Sequence, residues 1–267
     1  MQEVSVVQKC RLCDGVLRHR FNLMLLRKYD VAYFQCQKCH SLQTEVPYWL
    51  EEAYENNISS LDTGAVQRNI NNFAFCYAFS KIFNVKSAID FGSSDGMLCR
   101  FMRDHEIDCY AYDKYAIPIY AQAFRSPPDR GVDLLTAFEV LEHLPNPAAD
   151  LDEIFSFSPQ YVLCSTEIYA NQSSDWWYLA QEGGQHVFFY SAPAINFIAQ
   201  KYGYNVVRIG EMLLFYRPEI RNINNMIVAA QTALSGWIFQ AIKSYVFLLP
   251  AQGVGKDMNF IRSKFAP

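Results

Sequence analysis

Four cysteines in the first 39 residues form two pairs, Cys10-Arg-Leu-Cys13 and Cys36-Gln-Lys-Cys39, separated by 22 residues. A Cys-x-x-Cys pair lets two thiolates converge on one ion from a tight turn, and two such pairs complete a tetrahedron around zinc. Lys9, Arg11 and Lys38 lie beside the pairs and would offset the negative charge of a four-thiolate centre. A closed four-ligand site has no open position, so it folds a segment and does not catalyse. Chance reduced thiols or a redox pair are the other readings. His19 and His40 read as surface residues. Cys76, Cys99, Cys109 and Cys164 have no paired spacing and read as ordinary buried thiols.

A second constellation follows an apolar run. Asp90-Phe91-Gly92-Ser93-Ser94-Asp95-Gly96 leads from Ala88-Ile89 into a helical stretch that starts at Met97. Such a small-residue turn brings backbone close to a ligand at a helix N-terminus. A dinucleotide fingerprint needs G-x-G-x-x-G, but from Gly92 the next two positions are Ser94 and Met97, and no P-loop lysine is present. Asp113 ends the next apolar run about 20 residues on, where an acid can accept both hydroxyls of a ribose. Two histidines are candidates for proton transfer near neutral pH. His186 lies in the polar loop Gly183-Gly184-Gln185-His186, and His143 follows Glu142. Their plainer readings are loop positioning for His186 and a strand-to-loop tie for His143. Glu142 reads as a helix-start acid favoured by the helix dipole.

These residues need a scaffold, and the pattern supplies one. The spacing is helical from Glu45 to about Asn84, with a linker near residues 56–63. Short apolar runs then alternate with helices: strands at Ser87–Phe91, Cys109–Tyr112, Val132–Phe138 and Tyr161–Ser165, and helices at Met97–His105, up to Phe124, Ala148–Phe157 and Ala192–Tyr202. Alternation of this kind implies a mostly parallel sheet covered on both faces. Asn205–Ile209 and Met212–Tyr216 read as a closing hairpin. From Ile223 to Leu249 the apolar residues recur at helical spacing. Polar groups such as Asn224, Asn225, Gln231 and Gln240 are too many to leave in hydrocarbon, so no transmembrane span is expected. An amphipathic helix of a soluble protein is the reading, with a membrane-surface helix second. The 267 residues are 51% apolar, 19% charged and 15% aromatic, with a net charge of −4. That excludes a disordered chain and argues against a protein that holds nucleic acid by bulk charge. The opening residues lack the basic and apolar regions of a signal peptide, so a cytoplasmic protein is expected.

The pattern Asp90-x-Gly92-x-Ser94-x-Gly96 resembles the first motif of class I S-adenosylmethionine-dependent methyltransferases, with serine in place of the middle glycine. Val132 to Leu144, with Phe138-Glu139-Val140-Leu141-Glu142-His143 and then Pro145-Asn146-Pro147, resembles the fourth-strand motif of the same superfamily. Trp176-Trp177-Tyr178 followed by Gly183 to Ser191 resembles a segment of bacterial members with an N-terminal four-cysteine domain, among them the sugar C-methyltransferases of antibiotic biosynthesis. The resemblance runs from Cys10 to about Tyr216. The helices from Arg221 onward have no counterpart in it.

The resemblance implies an α/β fold: a Rossmann-like class I methyltransferase sheet with a small N-terminal zinc ribbon and C-terminal helices. The implied segments are a zinc ribbon at 1–45, a helical linker or lid at 46–84, the cofactor-binding domain at 85–217 and amphipathic helices at 218–267. S-adenosyl-L-methionine would be held by Asp90, Gly92, Ser93, Ser94, Asp95, Gly96 and Asp113. Backbone near Phe138 would approach its adenine, and Glu139 would lie towards its methionine end. Structural Zn2+ would sit on Cys10, Cys13, Cys36 and Cys39. His186, with His143, would be catalytic. The sugar C-methyltransferases carry a Tyr-x-Glu-His core, of which only the histidine matches here, so the implied acceptor is a hydroxyl of a sugar, nucleotide-sugar or glycan precursor. Trp176, Trp177 and the Phe188–Tyr190 run would border its pocket. A homodimer through the C-terminal helices is a possible partner arrangement, and no nucleic acid is expected. An RNA methyltransferase with a zinc ribbon and a non-catalytic zinc-containing interaction protein are the alternatives.

Overall fold

The computed structural model describes residues 9–55, 62–125 and 131–265. Ten strands and eight α-helices are present among them: β1 Leu17–Leu25, β2 Tyr29–Cys36, β3 Leu42–Thr44, α1 Leu50–Ala53, α2 Ala65–Ile82, β4 Ser87–Phe91, α3 Met97–Asp104, β5 Asp108–Tyr112, β6 Leu134–Phe138, α4 Pro147–Ser156, β7 Tyr161–Ser165, β8 Phe188–Phe189, α5 Ala192–Tyr202, β9 Asn205–Ile209, β10 Met212–Tyr216, α6 Ile223–Ala233, α7 Gly236–Val246 and α8 Gln252–Phe265. They build two sheets and two compact units.

One unit is built on the six-stranded sheet of order β5-β4-β6-β7-β10-β9, in which β4 runs parallel to both β5 and β6. The runs Ala88–Phe91 and Leu134–Ala137 are buried at every position. Continuous burial of this kind marks a sheet covered on both faces. α2 belongs to this core through Phe73, Phe75, Cys76 and Phe79, which cluster with Ala88, Leu98, Leu134 and Leu163. The sequence pattern locates this unit's strands well, and β4, β7, β9 and β10 have the expected bounds. The expected helix between β5 and Phe124 is absent. Asp113 caps the backbone N–H groups of Tyr115 and Ala116 instead, and Pro118 has no N–H to give a helix. Only a single 3-10 turn, Gln122–Phe124, forms there.

The other unit is built on the sheet β1-β2-β3-β8, antiparallel throughout. It gathers the described residues up to 55 with residues 139–156 and 165–206. The units therefore cut across the linear segments expected from the sequence. Phe188 and Phe189 pair with Gln43 and Leu42, so the late strand β8 completes the sheet of the N-terminal ribbon. The expected 46–84 segment is divided, with α1 in this unit and α2 in the core of the other. Of the aromatic residues read as pocket lining, all but Trp177 are in the core or packed against it here. Phe188, Phe189 and Tyr190 are fully buried, and Trp176 packs on Tyr169, Tyr178 and Phe189, while Trp177 is exposed. Packing within the ribbon unit takes up their area.

The four N-terminal cysteines converge in the ribbon. Cys10 Sγ lies 3.7 Å from Cys39 Sγ, and Cys13 Sγ lies 3.6 Å from Cys36 Sγ. All four are buried, with ligand atoms within 4.8 Å of one another. Tetrahedral zinc with bonds of about 2.3 Å needs sulfurs about 3.8 Å apart, so the cluster fits a small zinc ribbon. A Cβ at Gly15 would meet Cys36 Sγ at 2.6 Å, which leaves room only for glycine. His19 and His40 are exposed and outside the cluster, and the other four cysteines are buried, as expected.

The expected long helix after Asn222 is two helices. Leu234 and Ser235 separate α6 from α7, and Gly236 opens α7 at φ +33°.

Candidate functional site

The turn after β4 is held by its own backbone. Gly92 N–H and Ser93 N–H both donate to the Tyr112 carbonyl, at 2.8 and 3.2 Å, and Gly96 N–H donates to the Ser93 carbonyl. Gly92, Ser94 and Gly96 all have positive φ. At Gly96 (φ +82°) a Cβ would also lie 2.8 Å from Pro118 Cβ, so a side chain there meets both strain and a clash. Asp113 ties the turn to the next loop, accepting from Ser94 N–H at 2.9 Å and from the N–H groups of Tyr115 and Ala116 at 2.8 Å.

Charge decides what this turn can hold. Asp90 is buried and accepts from the Thr136 hydroxyl at 3.0 Å. Burial pushes its carboxyl up to about 7 against that hydrogen bond, with Asp113 and Asp95 pushing the same way. No lysine or arginine lies between Ser87 and Cys99, and Arg100 is committed to Asp104 and Asp257. Acidic side chains with no lysine or arginine in the turn itself, and N–H groups largely spent on neighbouring carbonyls and carboxylates, disfavour a phosphate and favour a cationic ligand. The Ser93 hydroxyl oxygen is buried without a partner, a polar group left for a ligand to satisfy. A sulfonium-bearing nucleoside fits this donor set. Phe138, at the end of β6, packs against the core of the same unit. Glu139 has φ +53°; its N–H donates to Ser165 Oγ, whose hydroxyl donates back to the Glu139 carboxylate at 2.7 Å.

The second site lies in the ribbon unit. His143 and His186 face each other edge-to-face, with ring centroids 4.8 Å apart. The His186 loop is fastened at both ends: Trp49 Nε1 donates to the Gly184 carbonyl at 2.7 Å, and Gln185 Nε2 donates to the Ala53 carbonyl at 2.7 Å. His186 Nδ1 donates to the Tyr178 carbonyl at 2.7 Å, so the neutral ring carries its lone pair on Nε2. His143 Nδ1 bonds the Tyr54 hydroxyl at 2.9 Å. Burial pushes His143 down to about 3, helped by the neighbouring His186 and opposed by the backbone at Gln185. Burial also lowers His186, against the Tyr178 carbonyl and the Glu139 carboxylate. Both rings are therefore neutral imidazoles at neutral pH.

Beneath them is Glu142. It stands in the first turn of the 3-10 helix Leu141–His143, as a helix-start acid, but it is fully buried. Its Oε1 accepts from the Tyr178 hydroxyl at 2.7 Å, and its Oε2 is buried without a partner. Burial, and then the charge of Glu139, push its carboxyl up to about 8. Ligand atoms of Glu142, His143 and His186 lie within 4.8 Å of one another, a set able to share a proton or hold a cation. Tyr54 and Tyr178 join the site only in the fold. Tyr178 stands in the Trp176-Trp177-Tyr178 run, but no local signal marks Tyr54.

The sequence from 63 to 209 matches the methyltransferase domain family. The chain belongs to that family. It is an S-adenosylmethionine-dependent methyltransferase, in keeping with the base-free acidic turn. No curated protein matches the chain. Among solved structures, the methyltransferase domain of bacterial CtHen1 is 21% identical with a TM-score of 0.40, over 56% of this chain and 98% of that one. Magnesium protoporphyrin IX methyltransferase from Synechocystis PCC 6803 with bound SAH is 14% identical with a TM-score of 0.41, over 64% and 95% of the two chains. An O-methyltransferase family protein from Burkholderia thailandensis is 12% identical with a TM-score of 0.41, over 63% and 67%. Likeness at this level says nothing of the acceptor.

Proposed function

We propose that this methyltransferase methylates a hydroxyl of a sugar, nucleotide-sugar or glycan precursor, with His186 as the general base and His143 beside it. The observation that carries the reading is the fixed tautomer of His186, whose Nε2 lone pair belongs to an imidazole kept neutral by burial. A hydroxyl must lose its proton as it attacks, and a neutral imidazole suits that task near pH 7. S-adenosylmethionine supplies an electrophilic methyl group when bound. Asp90, Gly92, Ser93, Ser94, Asp95, Gly96 and Asp113 are its holding residues in this reading, together with Phe138 and Glu139. Zinc on Cys10, Cys13, Cys36 and Cys39 stiffens the ribbon whose neighbouring loop carries His186. The net charge of −4 supports a small acceptor over RNA.

His186→Asn tests the base. Turnover on a nucleotide-sugar acceptor should fall about 10²- to 10⁴-fold, with calorimetric affinity for S-adenosylmethionine unchanged. Turnover that survives nearly intact removes His186 from the chemistry.

A further inference from the structure

α6, α7 and α8 form an outer layer on the sheet unit: α6 and α7 pack on α2, and α8 packs on α3. Their inner faces are accounted for. Ile227, Ala230 and Val246 are buried in the core cluster, with Phe239 and Ile242 against it. α8 docks through Gly253, where a Cβ would fall 1.7 Å from the Arg103 carbonyl oxygen, and through Asp257, which pairs with Arg100 and Arg103 at 2.7 Å.

The outer faces have the wrong chemistry for water. Along α7 and the turn after it, Trp237, Ala241, Tyr245 and Leu248 recur at i, i+4, i+8 and i+11, which is one helical stripe. Trp237 is 79% exposed, Leu248 83% and Tyr245 58%. No charged residue occurs from Asn222 to Ile242. Val228 on α6 and Met258 on α8 are exposed as well. A helix packed on one side normally points charge outward; this one points outward the residue types it buries.

The layer's own exposed charges have a single sign. After Glu219 the chain has one acidic side chain, Asp257, and it is buried under two arginines. Arg221, Lys256, Arg262 and Lys264 are exposed, and Lys243 is half-buried. Of these, Lys256 pairs with Glu106. The described surface of this layer thus carries only positive side-chain charge, on a chain of net charge −4. Aromatic and aliphatic residues flanked by lysine and arginine lie stably at the headgroup boundary of an anionic bilayer. Against a second copy, the same positive charge would face itself. We propose that the outer face of α6–α8 seats the protein on an anionic phospholipid surface, with Trp237, Tyr245 and Leu248 entering the interface. No helix among the described residues is long and apolar enough to cross a membrane, so the attachment is peripheral.

Sedimentation of the full chain with vesicles tests this. Phosphatidylcholine containing about 30% phosphatidylserine should capture the protein, and phosphatidylcholine alone should not. Capture should weaken at least about tenfold at high salt and in the Arg262→Gln/Lys264→Gln variant, and disappear in Trp237→Ser/Leu248→Ser. Brominated lipid should quench the tryptophan fluorescence of the wild type but not that of Trp237→Phe, a check that needs no disruptive substitution. Absence of binding to the anionic vesicles overturns the proposal. So does a dimer in light scattering that Trp237→Ser/Leu248→Ser converts to monomer, since the stripe would then belong to a second copy.

Discussion

The acidic turn and the histidine pair are built in opposite ways. The turn is nearly contiguous: Asp90 to Gly96, closed by Asp113, with Thr136 from the neighbouring strand. Backbone hydrogen bonds hold it, with the Asp113 and Asp95 carboxylates accepting from the N–H groups of Ser94 and Met97. The histidine pair is assembled from three distant stretches, Trp49–Tyr54, Glu142–His143 and Tyr178–His186, and side chains hold it. A mainly backbone-built site tolerates side-chain change except at its glycines and at the capping acids. A side-chain-built site depends on every partner.

The largest test of this contrast is loss of the ribbon. With zinc on the four thiolates as proposed, Cys36→Ser should release it, abolish turnover and lower the melting temperature, because metal-binding energy is folding energy. Affinity for S-adenosylmethionine should stay within about threefold, as independent sites behave. A parallel loss of cofactor binding would erase the distinction between the two regions. Next in size is Gly96→Val, which adds left-handed backbone strain and a contact with Pro118. Cofactor affinity measured by calorimetry should fall by a factor of about 30 or more, from about 2–3 kcal/mol of strain. Affinity that survives would show that the turn is not the cofactor's seat.

Tyr54→Phe is a smaller change. It removes one hydrogen bond to His143, and kcat should drop about three- to tenfold with cofactor affinity constant. An unaltered kcat would make His143 a bystander. The last test reads the pH dependence of stability. Glu142, raised from 4.5 to about 8, stays protonated in the fold where the unfolded chain ionises. Its contribution is complete below pH 4.5 and is lost as pH rises towards 8. His143 has the opposite sign: lowered from 6.5 to about 3, it contributes above pH 6.5 and loses that contribution as pH falls. Glu142→Gln should flatten the decline in melting temperature between pH 4.5 and 8 and leave the acid side unchanged. A decline that persists would assign it to another group.

Legibility in the sequence follows the same division. The sheet unit is readable because its strands are short apolar runs between helices, and Tyr161–Ser165 and Asn205–Ile209 fall where the pattern puts them. The cysteine spacing equally announces the ribbon. The late strand Phe188–Phe189 is not readable as a partner of Leu42 and Gln43, since two residues carry no register signal across that separation. Glu142 could not be read as buried, because a Glu-His pair after a strand looks the same whether or not Tyr178 waits to cover it. The break at Leu234-Ser235 is likewise not marked in the apolar spacing, which runs on through it.

By itself, the sequence determined the chemistry available: four convergent thiolates, an acidic glycine turn without bases, two histidines, and a C-terminal stretch nearly free of carboxylates. These follow from residue type and short spacing, which the backbone enforces locally. Only the tertiary structure decided which of those groups lose their water. Burial makes His143 and His186 neutral, turns Glu142 into a partly unpartnered acid and takes Phe188 to Tyr190 into the core. It also leaves Trp237 and Leu248 outside. Desolvation depends on what packs above a residue, and that partner is distant in the chain.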